Sequence, residues 1–519
     1  MPVSLPQALL IGLLYFAANT SFLGGLGYFT TWRPLVNGLL VGIVLGDPER
    51  GLMTGALINI LYLGYMSVGG TLGTGDAALA GILGSTVAIT AAVPDSAQAA
   101  GLGVLVGVLL GNLGFALLSL RMSLDNRIVR RIEQCADRGN SRAVVWWNIV
   151  PAQALLLAIT LPAAGILAYV VPPLLNAILV MAPSFLLRGL GLAGSSLAAA
   201  LGIALAMKFV FTGRGVPAFL VGFALYTLTQ ADFGILMPAA LILLAARELA
   251  AARIRPKEIY GRSSWLAFIL WQFFSHSSYS FERLQGSGLA AALAPAIGRL
   301  YPDVQERAQA LQRHLAFFNV EPNWGSVLTG TMLKLEKEHA MGRTSAESII
   351  ETRQVLMGAI SGFGDSVSQG ALLPLVLSTA LPVVMQPHGL VPPAAGVLIY
   401  LALICPLMLA ISSGAFFAGY RKGRDAVVAI LSSPMLKRWI AVAETAGAFM
   451  LGVLAATRTV TGLTISTGNS PASLLLNAAG QLTIVMLCYL LVKPLNIKPS
   501  YILIGAVVIS LVAAAMGLV

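Results

Sequence analysis

Charged residues are scarce in this sequence, and their scarcity limits the class of protein. Only 10% of its 519 residues are Asp, Glu, Lys or Arg, less than half of the ~25% typical of soluble domains. Hydrophobic residues make up 57%, and the mean hydropathy is +0.84. This composition excludes a water-soluble globular enzyme, a disordered tail and a nucleic-acid-binding domain, and it predicts a protein embedded in a lipid bilayer.

Metal-binding and nucleotide-binding patterns are also lacking. The three cysteines (Cys135, Cys405 and Cys488) lie far apart and the four histidines are scattered, so no zinc site, disulfide framework or cofactor is expected. The absence of HExxH and GxxxxGK[ST] argues against a zinc protease and against an ATP-driven motor in this chain. Residues 189–194 match GxGxxG, but they lie in an apolar segment with no acidic residue about 20 positions later, as a dinucleotide site requires.

Long uncharged runs are what the sequence has instead. No Asp, Glu, Lys or Arg occurs in 143–187, 371–420 or 459–492, and a helix needs ~20 apolar residues to cross the bilayer. Proline and glycine interrupt many of these runs, as at Pro172-Pro173 and Pro392-Pro393. Interrupted apolar segments favour broken or re-entrant hairpins, which are typical of transporters. The sequence therefore predicts an all-α polytopic membrane protein.

Two basic stretches, 121–142 and 247–262, divide the chain. Both are rich in arginine, and the whole chain has a net charge of +11. Because the cytosolic loops of membrane proteins are enriched in Lys and Arg, we expect both stretches in the cytosol. Charged residues become frequent after the second stretch. We therefore predict two membrane modules, 1–250 and 263–519, joined by a basic cytosolic linker at 251–262.

Asp76 and Asp365 are ionisable residues in apolar surroundings, where a charge is costly and by default marks a pathway. Each follows a glycine and precedes a small residue, so we predict both at hairpin tips. A carboxylate there can accept two hydrogen bonds from the hydroxyl groups of a polar ligand. The alternative for each is a helix N-cap, which needs no ligand. One acid from each module indicates a shared central cavity.

Longer motifs resemble two subunits, IIC and IID, of the mannose–fructose–sorbose family of the bacterial sugar phosphotransferase system. The IIC resemblance is carried by Trp32–Pro48, Leu63–Met66 and Asp76–Ala80. The IID resemblance is carried by Ser278–Gly286, Arg313–Asn319, Leu356–Gly358, Gly364–Asp365 and Gly419–Gly423. These motifs follow the family order along nearly the whole chain. The chain therefore looks like a fusion of subunits that the family usually makes separately.

The resemblance implies a multi-pass sugar permease of the bacterial inner (cytoplasmic) membrane. Family members form trimers in which an elevator-like core carries a hexose or amino sugar, and a cytosolic IIB, phosphorylated on histidine by IIA, then phosphorylates the sugar. No phosphoacceptor domain follows either module, so we expect a membrane subunit of a phosphotransferase complex, assembled as a homotrimer, with IIA and IIB as separate chains. The basic stretches either set the membrane topology or dock IIB.

The resemblance and the polar pattern give a set of candidate sugar-binding residues. Asn59 stands where the family commonly has Glu or Gln, and Gly75 replaces the proline that usually precedes Asp76. Glu282 has two interpretations, an internal ion pair with Arg283 that stabilises the fold or a contact with the sugar. The predicted substrate-binding residues are Asn59, Thr74, Asp76, Glu282, Asp365, Ser366 and Gln369.

The main alternative is an ion-coupled secondary sugar transporter with Asp76 or Asp365 as the coupling carboxylate. Such a transporter delivers free sugar and stops when an uncoupler is added, whereas a phosphotransferase permease delivers sugar phosphate and depends on IIB. A receptor or scaffold without transport is a third possibility, against which the polar hairpins argue.

Overall fold

The computed structural model describes residues 2–20, 26–64, 75–211, 213–251, 261–385, 391–457 and 471–518. Within these residues the backbone is helical, and pairing outside helices is limited to two isolated bridges, Ser280 with Leu284 and Leu284 with Phe318. The prediction of an all-α fold is therefore confirmed. Thr74 and most of the predicted linker, 252–260, lie outside the described residues.

The first module supplies the helices numbered α1 to α12 in chain order. A π-helical turn, Ala193–Leu197, connects α9 to α10. The helices are α1 (Leu5–Asn19), α2 (Leu26–Phe29), α3 (Pro34–Leu45), α4 (Pro48–Leu61), α5 (Ala77–Thr90), α6 (Ser96–Gly111), α7 (Leu113–Asp137), α8 (Ser141–Leu179), α9 (Ser184–Leu192), α10 (Ala198–Val210), α11 (Gly215–Thr229) and α12 (Phe233–Ala251).

The second module continues with α13 to α23. A second π-helical turn, Ser368–Leu372, connects α17 to α18. The helices are α13 (Arg262–Phe274), α14 (Gly286–Leu300), α15 (Val304–Leu315), α16 (Pro322–Ala340), α17 (Ala346–Val367), α18 (Leu373–Met385), α19 (Ala394–Lys422), α20 (Arg424–Ser432), α21 (Pro434–Ala456), α22 (Pro471–Val492) and α23 (Pro499–Ala515).

Polar caps fix where several helices begin. Asp47 accepts a hydrogen bond from the amide of Arg50 at the start of α4, and Asp95 accepts one from the amide of Gln98 at the start of α6. Asp303 accepts bonds from two amides at the start of α15. These side chains accept hydrogen bonds from amides that have no intrahelical partner in the first turn. Single polar residues therefore mark the starts of helices in an otherwise apolar sequence.

Several helical segments are long and apolar enough to cross a bilayer. The longest single helix, α8, has 39 residues and contains four prolines, and at ~1.5 Å per residue it exceeds the ~30 Å hydrocarbon core. In the described part of the chain, seven segments meet the length and hydropathy requirements: Ser96–Asp137, Ser141–Leu179, Ser184–Val210, Ala346–Met385, Ala394–Lys422, Pro434–Ala456 and Ala472–Val492.

The hydrophobic cores cross the boundary between the two modules. The largest cluster joins Leu35 and other residues of the first module to Leu377 and its neighbours in the second. A second cluster joins Ile132 near the end of α7 to Leu289 in α14. Membrane helices associate mainly through van der Waals packing and interhelical hydrogen bonds, so this shared packing holds the two halves together, and a cavity lies between them.

Candidate functional site

One cavity of about 220 Å³ lies between the modules and is lined by residues of both. Drug-sized ligands occupy pockets of ~300–1,000 Å³, so this volume suits a smaller molecule. Three carboxylates line it, Asp76 from the first module and Glu321 and Asp365 from the second. Polar groups in a partly apolar, concave site are the usual means of orienting a small ligand.

Asp76 is both a helix cap and a cavity residue. Its Oδ1 accepts hydrogen bonds from the amides of Ala78 (2.8 Å) and Leu79 (3.1 Å) at the start of α5. Its Oδ2 accepts a 2.7 Å bond from the hydroxyl of Tyr15 in α1. The N-terminal end of a helix favours a negative charge. The two interpretations of Asp76 are therefore compatible, because capping by Oδ1 holds the carboxylate at the cavity wall.

Asp365 does not lie at a hairpin tip, so that prediction was wrong. It lies inside α17, two residues before that helix ends at Val367. Gln369 follows four residues later, and its side-chain Nε2 donates a 2.9 Å hydrogen bond to Oδ1 of Asp365. The π-helical turn begins at Ser368, and such turns often occur at functional sites. Asp365 and Gln369 therefore share one helical face, and both line the cavity.

A hydrogen-bond chain connects this pair to the first module. Tyr28 donates a 3.1 Å bond to the side-chain oxygen of Gln369. Its ring stacks on Trp32 with centroids 4.8 Å apart, and the Arg33 guanidinium lies 4.7 Å from the Tyr28 centroid. Tyr28 and Trp32 both line the cavity. One wall of the cavity is therefore aromatic, and Gln369 of the second module connects Asp365 to it.

Asn59 and Ser366 lie away from the cavity lining. Asn59 is fully buried, and its side-chain oxygen accepts a bond from the amide of Leu35 at the start of α3. The Ser366 hydroxyl is on the exposed side of α17 and donates to the carbonyl of Gly362. Asp76, Asp365 and Gln369 are therefore brought together, whereas Asn59 and Ser366 are not.

Glu282 is exposed, and the predicted ion pair with Arg283 is wrong. The Arg283 guanidinium instead lies 2.8 Å from Oε1 of Glu133, near the end of α7 in the first module. Glu282 is not among the residues that line the cavity. The adjacent residues thus act separately, with Arg283 joining the modules and Glu282 facing solvent.

Glu321 was not among the predicted residues. It is the N-cap of α16, and Oε2 accepts a 2.8 Å bond from the amide of Trp324 while Oε1 accepts one from the Asn323 side chain. Burial raises the pKa of Glu321 to about 7. The sequence signal that could have identified Glu321 is its position directly before Pro322. Because proline is favoured at the first position of a helix, the residue before it is a candidate N-cap.

Arg121 was also missed as a site residue. Its buried guanidinium donates hydrogen bonds to the carbonyl oxygens of His276 (2.7 Å) and Ser277 (2.9 Å) and lies 3.3 Å from Asp125. Burial lowers the pKa of His276 to about 4, so this histidine is neutral at physiological pH. Arg121 therefore fastens the loop after α13 to α7, with its charge balanced by Asp125.

Comparisons with known proteins agree with this two-part organisation. Residues 5–246 match the family described as the PTS system sorbose-specific IIC component, and residues 262–519 match the PTS system mannose/fructose/sorbose family IID component. The chain is similar to the mannose-specific EIID component of Escherichia coli (strain K12), at 30% identity over 46% of this chain and 88% of that protein.

The first module has a shorter curated match. The fructose permease IIC component of Bacillus subtilis (strain 168) is 34% identical to this chain. The matched part covers 26% of this chain and 48% of that relative. Among solved structures, the mannose transporter ManYZ in complex with microcin E492 matches at 27% identity with a TM-score of 0.30, covering 50% of this chain and 98% of that one.

The two family matches and the EIID relative establish the identity of both parts. The family places the chain in the bacterial cytoplasmic membrane as a multi-pass permease, and it implies a sugar substrate and IIA and IIB partners. The chain belongs to the mannose/fructose/sorbose family of the sugar phosphotransferase system, with a IIC part and a IID part fused in one polypeptide.

Proposed function

We propose that this permease binds a hexose or an amino sugar in the cavity between its modules and presents it to a phosphorylated IIB at the cytosolic face. The observation that carries this proposal is the convergence of Asp76, Glu321 and Asp365 on one cavity of about 220 Å³. Carboxylates accept the strong, charge-assisted hydrogen bonds that sugar hydroxyls can donate. The aromatic rings of Tyr28 and Trp32 provide apolar faces for the ring of a sugar.

Asp76, Asp365 and Gln369 are the proposed sugar contacts from the original set, and Glu321 is added to them. Gln369 can donate and accept at its amide, which suits a hydroxyl that also does both. Asn59, Ser366 and Glu282 are not retained as sugar contacts, because each lies outside the cavity lining. Thr74 lies outside the described residues and stays a prediction.

Phosphorylation itself requires little chemistry from this chain. The phosphorus–nitrogen bond of the phosphohistidine on IIB breaks, a phosphorus–oxygen bond to the sugar forms, and the freed imidazole can take the hydroxyl proton. Phosphoryl transfer depends mainly on positioning and electrostatics. The permease holds the sugar hydroxyl in line with the phosphohistidine of IIB, so that the reacting groups are already oriented.

Three finer features belong to the same proposal. The module limits are 1–250 and 263–519, with the linker at 251–262; the assembly is a homotrimer; and transport uses an elevator-type movement with broken or re-entrant hairpins. The support for these features is family membership.

Vesicle assays test the proposal directly. Inverted membrane vesicles that contain the chain are mixed with a phosphorylated IIB of the family and a panel of hexoses and amino sugars. We expect sugar phosphate to form only with IIB present and to be unaffected by an uncoupler. Free sugar inside right-side-out vesicles that disappears on uncoupling would instead support the ion-coupled transporter. A chain that yields sugar phosphate with no member of the panel would contradict the proposal.

A further inference from the structure

Two phenylalanines stand exposed on loops rather than on apolar helices. Phe281 is 54% exposed and Phe317 is 47% exposed. Phe281 lies in the turn after α13, and Phe317 lies between α15 and α16. We call Phe281, Glu282, Arg283 and Phe317 the loop surface. Large exposed aromatic side chains beside charged ones are typical of the anchors of a protein interface.

The two loops are bonded to each other at the backbone. The amide of Gln285 donates to the carbonyl of Phe318 (2.9 Å), and the amide of Phe318 donates to the carbonyl of Arg283 (3.3 Å). The Gln285 side chain strengthens this contact, because its oxygen accepts from the amide of Val320 and its nitrogen donates to the Val320 carbonyl. The loop surface therefore belongs to one fixed layer of structure.

The same layer forms part of the cavity wall. Tyr279 and Gln285 of the first loop line the cavity, as do Asn319 and Glu321 of the second. Phe281 lies between Tyr279 and Gln285 in the sequence, and Phe317 directly precedes the segment that holds Asn319 and Glu321. One face of the layer thus meets the proposed sugar site, while Phe281 and Phe317 lie on its exposed side.

The layer is attached to the basic end of α7. Arg283 pairs with Glu133. In α15, which leads into the second loop, the side-chain Nε2 of Gln312 donates a 2.6 Å hydrogen bond to Oδ1 of Asp137. Positively charged segments next to membrane spans lie in the cytosol, so the loop surface lies on the cytosolic side. The exposed arginines of this region are Arg127, Arg130, Arg131, Arg138 and Arg142.

We propose that the loop surface is the docking site of phosphorylated IIB, with Phe281 and Phe317 as its apolar anchors. This inference rests on the proposed function, because the phosphoryl group must reach a sugar that lies behind this layer. The neighbouring arginines suit a partner that carries a negatively charged phosphoryl group, and charge complementarity of this kind speeds association. Irregular backbone does not face lipid in the hydrocarbon region, so a protein partner is favoured over a membrane.

Phosphoryl-transfer kinetics with the double variant Phe281→Ala/Phe317→Ala test the docking site. With a phosphorylated IIB that sustains turnover by the wild-type chain, we expect the KM for phospho-IIB to rise at least tenfold, while the KM for sugar and the kcat at saturating IIB stay unchanged. Phe185→Ala is the matched control, since Phe185 is 37% exposed on the apolar helix α9. An unchanged KM for phospho-IIB, or a rise confined to the KM for sugar, overturns the proposal.

A second measurement does not depend on how the double variant folds. A photo-cross-linking amino acid replaces Phe281 alone, and the membranes are irradiated with phospho-IIB present. A covalent adduct with IIB supports the docking site, whereas adducts with lipid only overturn it. Absence of turnover by the wild-type chain with any sugar would contradict the proposed function itself. Normal turnover with no IIB adduct and an unchanged KM contradicts only the docking site.

Discussion

Tyr28 donates a hydrogen bond of 3.1 Å to the side-chain oxygen of Gln369, and the two residues belong to different modules. Gln369 passes the connection on, since its amide donates to Oδ1 of Asp365 at 2.9 Å. The orientation of an acid in the IID part therefore depends on a tyrosine in the IIC part. Fusion of the two parts in one polypeptide keeps these partners together without any assembly step between them.

Tyr28→Phe removes this connection but keeps the aromatic ring on Trp32. A net hydrogen bond contributes ~0.5–1.5 kcal/mol, so we expect the KM for sugar to rise by up to about tenfold with little change in kcat. Sugar-dependent phosphorylation at saturating phospho-IIB measures both constants. Tyr169→Phe is the control, because Tyr169 is 50% exposed in α8. Identical KM values in wild type and Tyr28→Phe would show that the connection does not orient the site.

Gly114 leaves the space that the Asp76 side chain occupies. A Cβ at position 114 would lie 2.2 Å from the Cβ of Asp76 and 2.8 Å from its Oδ2. Such overpacking typically costs ~1–3 kcal/mol, so Gly114→Ala should displace Asp76 and raise the KM for sugar at least tenfold. Gly505→Ala is the matched control, since no residue that the structure describes lies within 4 Å of a Cβ there. Equal KM values in the two variants would refute the displacement.

Glu321 gives the site a pH dependence near neutrality. Burial raises its pKa to about 7, so the side chain is mostly protonated below this pH and mostly ionised above it. Because a carboxylate is the stronger acceptor, we expect the KM for sugar to fall as pH rises from about 6 to 8. In Glu321→Gln this change should disappear. A wild-type profile that is flat over this range, or one that persists in the variant, would assign the titration elsewhere.

Thermal stability should show the opposite trend for the same group. The pKa in the folded protein is above the ordinary carboxyl value, so the neutral form stabilises the fold fully below ~4.5, and this contribution is lost as pH rises toward about 7. The Tm of the wild type relative to Glu321→Gln should therefore decrease across this interval. Calorimetry of the purified full-length protein measures the difference, and a constant difference in Tm would contradict the assignment.

Local sequence signals account for part of the site. Asp76 and Asp365 were singled out because a charge in an apolar run is costly, and the structure places both at one cavity. That they bind sugar stays a prediction. Gln369 and Ser366 were selected because both follow Asp365 and can bind hydroxyl groups, and of these two only Gln369 lines the cavity. Composition was sufficient for the two acids because an isolated charge in an apolar run can be recognised without knowing how the helices pack.

Contacts between distant segments were not predictable in this way. Arg121 appeared only as part of a basic stretch, yet its guanidinium binds carbonyl groups more than 150 residues away in the sequence. Arg283 likewise pairs with Glu133 rather than with the adjacent Glu282. Which residue lies opposite a charge is decided by helix packing, and a single sequence carries no record of that packing. The hairpin assigned to Asp365 failed because Gly364 lies within a helix.

Conservative substitutions of the acids separate cavity residues from the exposed Glu282. Asp76→Asn keeps a side chain that caps a helix as well as aspartate does, so the fold should persist while the charge is lost. Hydrogen bonds to charged groups contribute ~1.5–3 kcal/mol, so we expect Asp76→Asn and Asp365→Asn each to raise the KM for sugar by about ten- to hundredfold. Glu282→Gln should leave this KM unchanged, because Glu282 does not line the cavity. Uptake and phosphorylation that are unaffected by both aspartate substitutions would show that the sugar binds elsewhere.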